Sequence, residues 1–187
     1  MALHRVHDEP FQVYFCTITC YKWLPLFEEG KAYDCVYQSF RHLPKDGCQL
    51  VGYVIMPNHL HCLLLMRHSG TSLNRVVAEG KRFMAYDIVK RLKALGKTDL
   101  LRELENGVPA NEKRKGKLHQ VFHLSFDARE CTTEKLVEQK LDYIHHNPVS
   151  GKWDLASDFT KYPHSSVAYY ERGEENEHLI HYKSVTA

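Results

Sequence analysis

Gln49-Leu-Val-Gly-Tyr-Val-Ile-Met56 and His59-Leu-His-Cys-Leu-Leu-Leu-Met66 are two apolar, β-prone runs separated only by Pro57-Asn58. A Pro-Asn pair between such runs suits a tight connection between antiparallel strands, so this stretch is predicted to form a hairpin. Side chains alternate along a strand, which points His59 and His61 to the same face. The surrounding Val54, Ile55, Met56, Leu60, Leu63, Leu64 and Leu65 mark the second run as an interior strand.

Working outward, residues 11–21 (FQVYFCTITCY) are rich in aromatic and β-branched side chains and read as a strand with Tyr14, Cys16, Ile18 and Cys20 on one face. Residues 28–43 carry Tyr33, Val36, Tyr37 and Phe40 at helical spacing, with Pro44 and Gly47 as stop signals. Beyond the hairpin, Thr71-Ser72 caps a long helix whose apolar positions (Leu73, Val76, Val77, Phe83, Met84, Ile88, Leu92, Leu95) keep the 3.6 period until Gly96. Its other face is basic. Residues 97–117 hold a short leucine-bearing turn and a polar, Gly/Pro-punctuated stretch, predicted as an exposed basic loop. Residues 118–126 (LHQVFHLSF) alternate and are predicted as a fourth strand. Thr132-Thr133 caps a last helix running to Asn147 and ended by Pro148, because the residue before proline is pushed out of the α region. The order β-α-β-β-α-β followed by a helix is that of an α+β, ferredoxin-like antiparallel sheet with helices on one face.

A chain of 187 residues, 43% hydrophobic and 26% charged, fits one domain, taken as residues 1–170 with an acidic tail at 171–187. No run of apolar residues is long enough for a membrane span, and the charged N-terminal stretch is unlike a signal peptide, so a cytoplasmic protein is expected. Six cysteines without CxxC spacing indicate neither a zinc ribbon nor a disulfide framework. Net charge is only +2, yet residues 81–117 hold eleven Lys and Arg against five Asp and Glu. Lys81, Arg82, Lys90, Arg91 and Lys93 on the long helix, with Lys113, Arg114, Lys115 and Lys117 in the loop, are candidate contacts to the phosphates of a folded single strand or hairpin, Lys81, Arg82, Arg114 and Lys115 foremost.

With 13 histidines in the chain, roughly one HxH arises by chance, so the pair at His59 and His61 acquires meaning only from its setting. Imidazoles on an interior strand need partners for their nitrogens, and a shared metal ion is one such partner. In the last helix, Lys140, Tyr143 and Asn147 fall at steps of three and four on one stripe beside an apolar stripe of Val137, Leu141 and Ile144. By spacing alone, the same stripe describes a Tyr packed on the sheet and an Asn capping the helix end.

The stretch Met56-Pro-Asn-His-Leu-His-Cys62 resembles the His-hydrophobic-His motif of single-tyrosine transposases, and Lys140-Leu-Asp-Tyr-Ile-His-His-Asn-Pro-Val149 resembles the tyrosine motif of REP-associated tyrosine transposases. Lys81-Arg82-Phe83, Phe126-Asp127 and Tyr162-Pro-His-Ser-Ser-Val-Ala-Tyr169 extend the likeness over about residues 11–170. The resemblance implies that His59, His61 and Asn147 hold a divalent metal, Mg²⁺ or Mn²⁺, and that Tyr143 attacks single-stranded or hairpin DNA, with Lys140 beside it. Asparagine rather than glutamine as the third ligand points to the REP-associated branch. A tryptophan expected ahead of Asp127 is replaced by His119-Gln-Val-Phe122, and the 97–117 stretch is a local elaboration. The family is compatible with a monomer or a homodimer.

A phenol titrating near about 10 is a weak nucleophile at neutral pH, and a metal that polarises the phosphate supplies the help it needs. The chemistry expected is cleavage through a 5′-phosphotyrosine followed by strand transfer. A non-catalytic nucleic-acid-binding domain of the same fold, or another HUH nickase of the replication-initiator or relaxase type, are the alternative readings.

Overall fold

The computed structural model describes residues 12–67 and 71–184; Phe11 of the predicted first strand lies outside them. In chain order the elements are β1 (Gln12–Thr19), α1 (Leu26–Glu29), α2 (Tyr33–Phe40), β2 (Cys48–Met56), β3 (His59–Met66), α3 (Leu73–Ala94), α4 (Thr98–Asn106), α5 (Ala110–Lys113), β4 (Asp127–Cys131), α6 (Glu134–His146) and α7 (Val167–Arg172). The strands form one antiparallel sheet in the order β2-β3-β1-β4, the ferredoxin-like order.

Both faces of the sheet are covered, which explains why β2 and β3 read as continuous apolar runs. On one face Tyr14, Cys16, Ile18, Leu60, Cys62 and Leu64 meet Val36 and Phe40 of α2 and the apolar stripe of α3. On the other, Val13, Phe15, Leu63 and Leu65 meet Val137, Leu141 and Ile144 of α6. The two crossover helices thus lie on one face as expected, and the additional helix α6 closes the second. A bulge between Leu50 and Gly52 lets Val51 and Val54, three apart, share the α6 face. Gly52 lies where α6 presses closest: a Cβ there would run into Leu141 Cδ2 and come within 3.4 Å of Ile144 Cδ1.

The capping expected for the two long helices is present. Ser72 Oγ accepts from the Arg75 N–H at 3.4 Å, and Thr133 Oγ1 accepts from the Leu136 N–H at 3.3 Å. Four expectations need correction. The helix predicted over residues 28–43 is broken into α1 and α2, because Lys31 adopts φ 47° between them. The fourth strand is not 118–126 but β4, the charged stretch Asp127–Cys131, which pairs with Thr17 to Val13 of β1. An edge strand with exposed positions tolerates charge, whereas the alternation in 118–126 reflects only the burial of Gln120, Val121 and Phe122 beneath a segment that touches the sheet through a Cys20–Phe122 bridge. The 97–117 stretch is mostly helical, with Leu104 of α4 fully buried. Asn147 keeps αR dihedrals (φ −53°, ψ −42°) despite preceding Pro148, and the chain continues into a 3₁₀ turn at Asn147–Val149.

The acidic stretch from Glu171 packs back on the domain. Leu179 bridges Leu50 in parallel, Ile180 N–H donates to Leu50 C=O at 2.9 Å, and Tyr182 Oη donates to Glu138 Oε1 of α6 at 2.8 Å. All six cysteines are free and buried. No helix among the described residues is long and apolar enough to cross a membrane.

Candidate active site

The site lies where the α6 face of β3 meets the C-terminal half of α6. His59 and His61 project from β3 on the same side as Leu63 and Leu65, as the period of two requires, and both are buried. Their rings stand 4.6 Å apart at 79°. Each has one ring nitrogen already engaged. Asn58 Nδ2 donates to Trp23 C=O at 3.2 Å, which makes its Oδ1 the acceptor facing His59 Nδ1 at 2.6 Å. His59 therefore carries its proton on Nδ1 and presents the Nε2 lone pair. Thr17 Oγ1 lies 2.9 Å from His61 Nδ1 and accepts from it in the tautomer that likewise frees Nε2. Second partners of this kind are what orients metal-ligating histidines.

Burial lowers both imidazoles, His59 to about 4 with a contribution from Lys152, and His61 to about 3 with contributions from His59 and Lys140. They are neutral at physiological pH, the form that coordinates a cation.

Tyr143 stands at the edge of this pair and is 48% exposed. Its ring meets His61 edge-on at 5.4 Å and Phe15 at 5.9 Å. Lys140 Nζ lies 4.7 Å from the Phe15 ring centre and 5.5 Å from that of Tyr143, putting a cation beside the phenol. One turn later, Asn147 Oδ1 is buried and has no hydrogen-bond partner among the described residues. Asn147 is the C-cap residue of α6, and its backbone N–H, not its Oδ1, makes the contact there, to Ile144 C=O. The following segment returns to the histidines, with Trp153 6.4 Å from His59.

These residues fit a divalent cation. Two buried imidazoles engage Asn58 and Thr17 through Nδ1, and a buried carboxamide oxygen has no partner among the described residues, which costs free energy unless an electropositive group meets it. Among the described residues no group of three or more His, Cys, Asp or Glu could hold a metal ion. The adjacent histidines are committed elsewhere. His145 Nε2 lies 2.9 Å from Ser166 Oγ, which also accepts from the Tyr53 N–H at 3.0 Å, and His146 stacks on Phe159 at 4.0 Å.

The remaining candidates separate. Lys81, Arg82 and Lys115 line a groove along α3 on the opposite face of the sheet, whereas Arg114 is exposed at the end of α5. Lys81 is held by three carbonyls, those of His123 (2.7 Å), Leu124 and Ser125 (3.3 Å each), and burial pulls it down to about 8. Lys115 pairs with Glu112 at 3.1 Å.

Sequence reasoning missed Thr17, Asn58 and Trp23. Asn58 adjoins the motif and was readable only as a turn residue. Thr17 is joined to His61 by strand register, which no local pattern reveals. Trp23 is exposed, 5.5 Å from His59, and held with Lys22 at positive φ (58° and 51°), a backbone state that non-glycine residues adopt at a cost.

No protein-family model matches the chain, and no curated protein matches its sequence. Among solved structures, one described as a REP-associated tyrosine transposase bound to a REP hairpin superposes with a TM-score of 0.60 over 96% of this chain and 92% of that one, at 16% identity. The chain thus has the fold of a REP-associated tyrosine transposase.

Proposed function

We propose that this protein is a metal-dependent single-stranded DNA endonuclease and strand transferase, with Tyr143 as nucleophile and His59, His61 and Asn147 as metal ligands. The observation that carries this reading is the contact between the Tyr143 ring and His61, which sets an accessible phenol beside two buried imidazoles that engage Thr17 and Asn58 through Nδ1. The hairpin DNA held by the structural neighbour supports a hairpin-forming single strand as the substrate class.

A bound Mg²⁺ or Mn²⁺ would polarise the scissile phosphate and stabilise charge on the leaving oxygen. Nitrogen donors favour Mn²⁺. The chain's own residues do the rest. Lys140 offers a cation to the phosphate that approaches Tyr143, and the phenolic proton passes to solvent. Tyr143 Oη forms a bond to phosphorus, the bond from phosphorus to the 3′ oxygen breaks, and that oxygen leaves as a 3′-hydroxyl after taking a proton. The resulting 5′-phosphotyrosine keeps the phosphodiester's energy, so attack by another 3′-hydroxyl rejoins strands without ATP.

The test is incubation of a labelled hairpin carrying single-stranded flanks with Mn²⁺. Cleavage to a product whose 3′ end a polymerase extends, abolished by chelator, supports the reading. Cleavage that persists in chelator removes the metal from it.

A further inference from the structure

A groove of about 1050 Å³ lies away from Tyr143. It runs between the outward face of α3 and the segment after α5, and seven Lys or Arg side chains line it against one carboxylate, Glu112. Lys90, Lys93 and Lys117 among these cations share the lining with large apolar groups that face solvent: Tyr86 is 71% exposed, Leu118 70% and Leu124 65%. Gln120 also lines the groove, is 3% exposed, and its Oε1 has no partner among the described residues.

Cations alone describe a solvated face, and exposed apolar side chains alone describe a protein contact. Their interleaving within one groove, with a single opposing carboxylate, suits a polyanion that also carries flat apolar surfaces. A duplex offers phosphates but keeps its base faces stacked, leaving Tyr86, Leu118 and Leu124 uncovered. Unpaired nucleotides supply both. The groove also connects to the tyrosine site. Lys81 at its edge is tied to the carbonyl of His123, the His123 ring meets Trp23 at 6.5 Å, and Trp23 meets His59 at 5.5 Å. His123 N–H in turn donates to Thr19 C=O at 2.9 Å, and Thr19 pairs with His59 across β1 and β3.

We infer that the α3 groove is a track for unpaired nucleotides, which reach it from the scissile phosphate by passing over Trp23 and His123. The inference rests on the proposed action of the Tyr143 site on single-stranded DNA and adds where the strand lies beyond it. The 97–117 elaboration then has a role, since it leads directly into one wall of the track.

The experiment compares, by fluorescence anisotropy, a blunt hairpin with the same hairpin extended by about ten unpaired nucleotides. In wild type the extension tightens binding, and in the Tyr86→Ala/Lys90→Glu variant that gain falls by about tenfold. Lys45→Glu, an exposed charge outside the groove, serves as the control and leaves the gain intact. An undiminished gain in the double variant, or an equal loss in the control, overturns the inference. So does a wild-type dimer, seen by sedimentation without DNA, that Tyr86→Ala dissociates, because the face is then a contact between copies. Failure of wild type to cleave, with the extension-dependent gain present and groove-dependent, refutes the catalytic reading alone.

Discussion

The Tyr143 ring lies edge-on to that of His61 at 5.4 Å, although the two are on different elements, α6 and β3, joined through the sheet's second face. The juxtaposition depends on how α6 seats on β2 and β3, and two features of that seat are specific. Gly52 provides the close approach, and the His145–Ser166 contact provides a polar link between α6 and the backbone of Tyr53.

Gly52→Ala should destabilise the fold by about 1 to 3 kcal/mol, because its Cβ meets the buried Leu141 side chain of α6. Cleavage should fall more than stability explains, since the displaced helix carries Tyr143. Urea unfolding and single-turnover cleavage at saturating DNA measure the two effects. Unchanged cleavage in the folded variant would show that the seat of α6 does not set the nucleophile.

Asn147→Ala distinguishes a ligand from a cap. Its Oδ1 is buried without a partner among the described residues, so removing it should cost the metal-free protein less than about 1 kcal/mol, well below the loss of a working cap. The thermal shift produced by Mn²⁺ should shrink, as it should in His59→Ala and His61→Ala, and higher Mn²⁺ should restore part of the lost cleavage. A full Mn²⁺ shift in the alanine variant, with a large loss of metal-free stability, would reverse the assignment.

Three buried imidazoles make stability depend on pH. Burial lowers His59 and His145 to about 4 and His61 to about 3, below the ordinary value of 6.5, so the unfolded chain binds more protons over this interval. Their contribution is complete above about pH 6.5 and is lost progressively as pH falls from there to the folded values. Between pH 7 and pH 5, urea unfolding without metal should lose on the order of 1 to 2 kcal/mol per imidazole. Stability that is flat over this range would mean that the rings reach solvent in the folded state.

The hairpin, the shared face of His59 and His61, the cap of α3 and the apolar stripe of α6 were legible because each depends on periodicity and neighbours within a few residues. The stripe of Lys140, Tyr143 and Asn147 was legible for the same reason. Strand β4 was not, since an edge strand needs few apolar residues and the apolar alternation lay in 118–126, which buries side chains without extended pairing. Helix α4 was hidden because its charged surface outweighs the buried Leu104. Thr17 and Trp23 join the site through register and through an unusual backbone state, neither of which has a local sequence pattern.

The most direct measurement is mass spectrometry of the denaturant-resistant adduct formed between the protein, a single-stranded hairpin and Mn²⁺. The account expects a nucleotide remnant linked through its 5′ phosphate to Tyr143, and no adduct from Tyr143→Phe, whose ring still packs on His61 and Phe15 and whose DNA affinity stays near wild type. An adduct on another residue, or one at wild-type level in Tyr143→Phe, would contradict it.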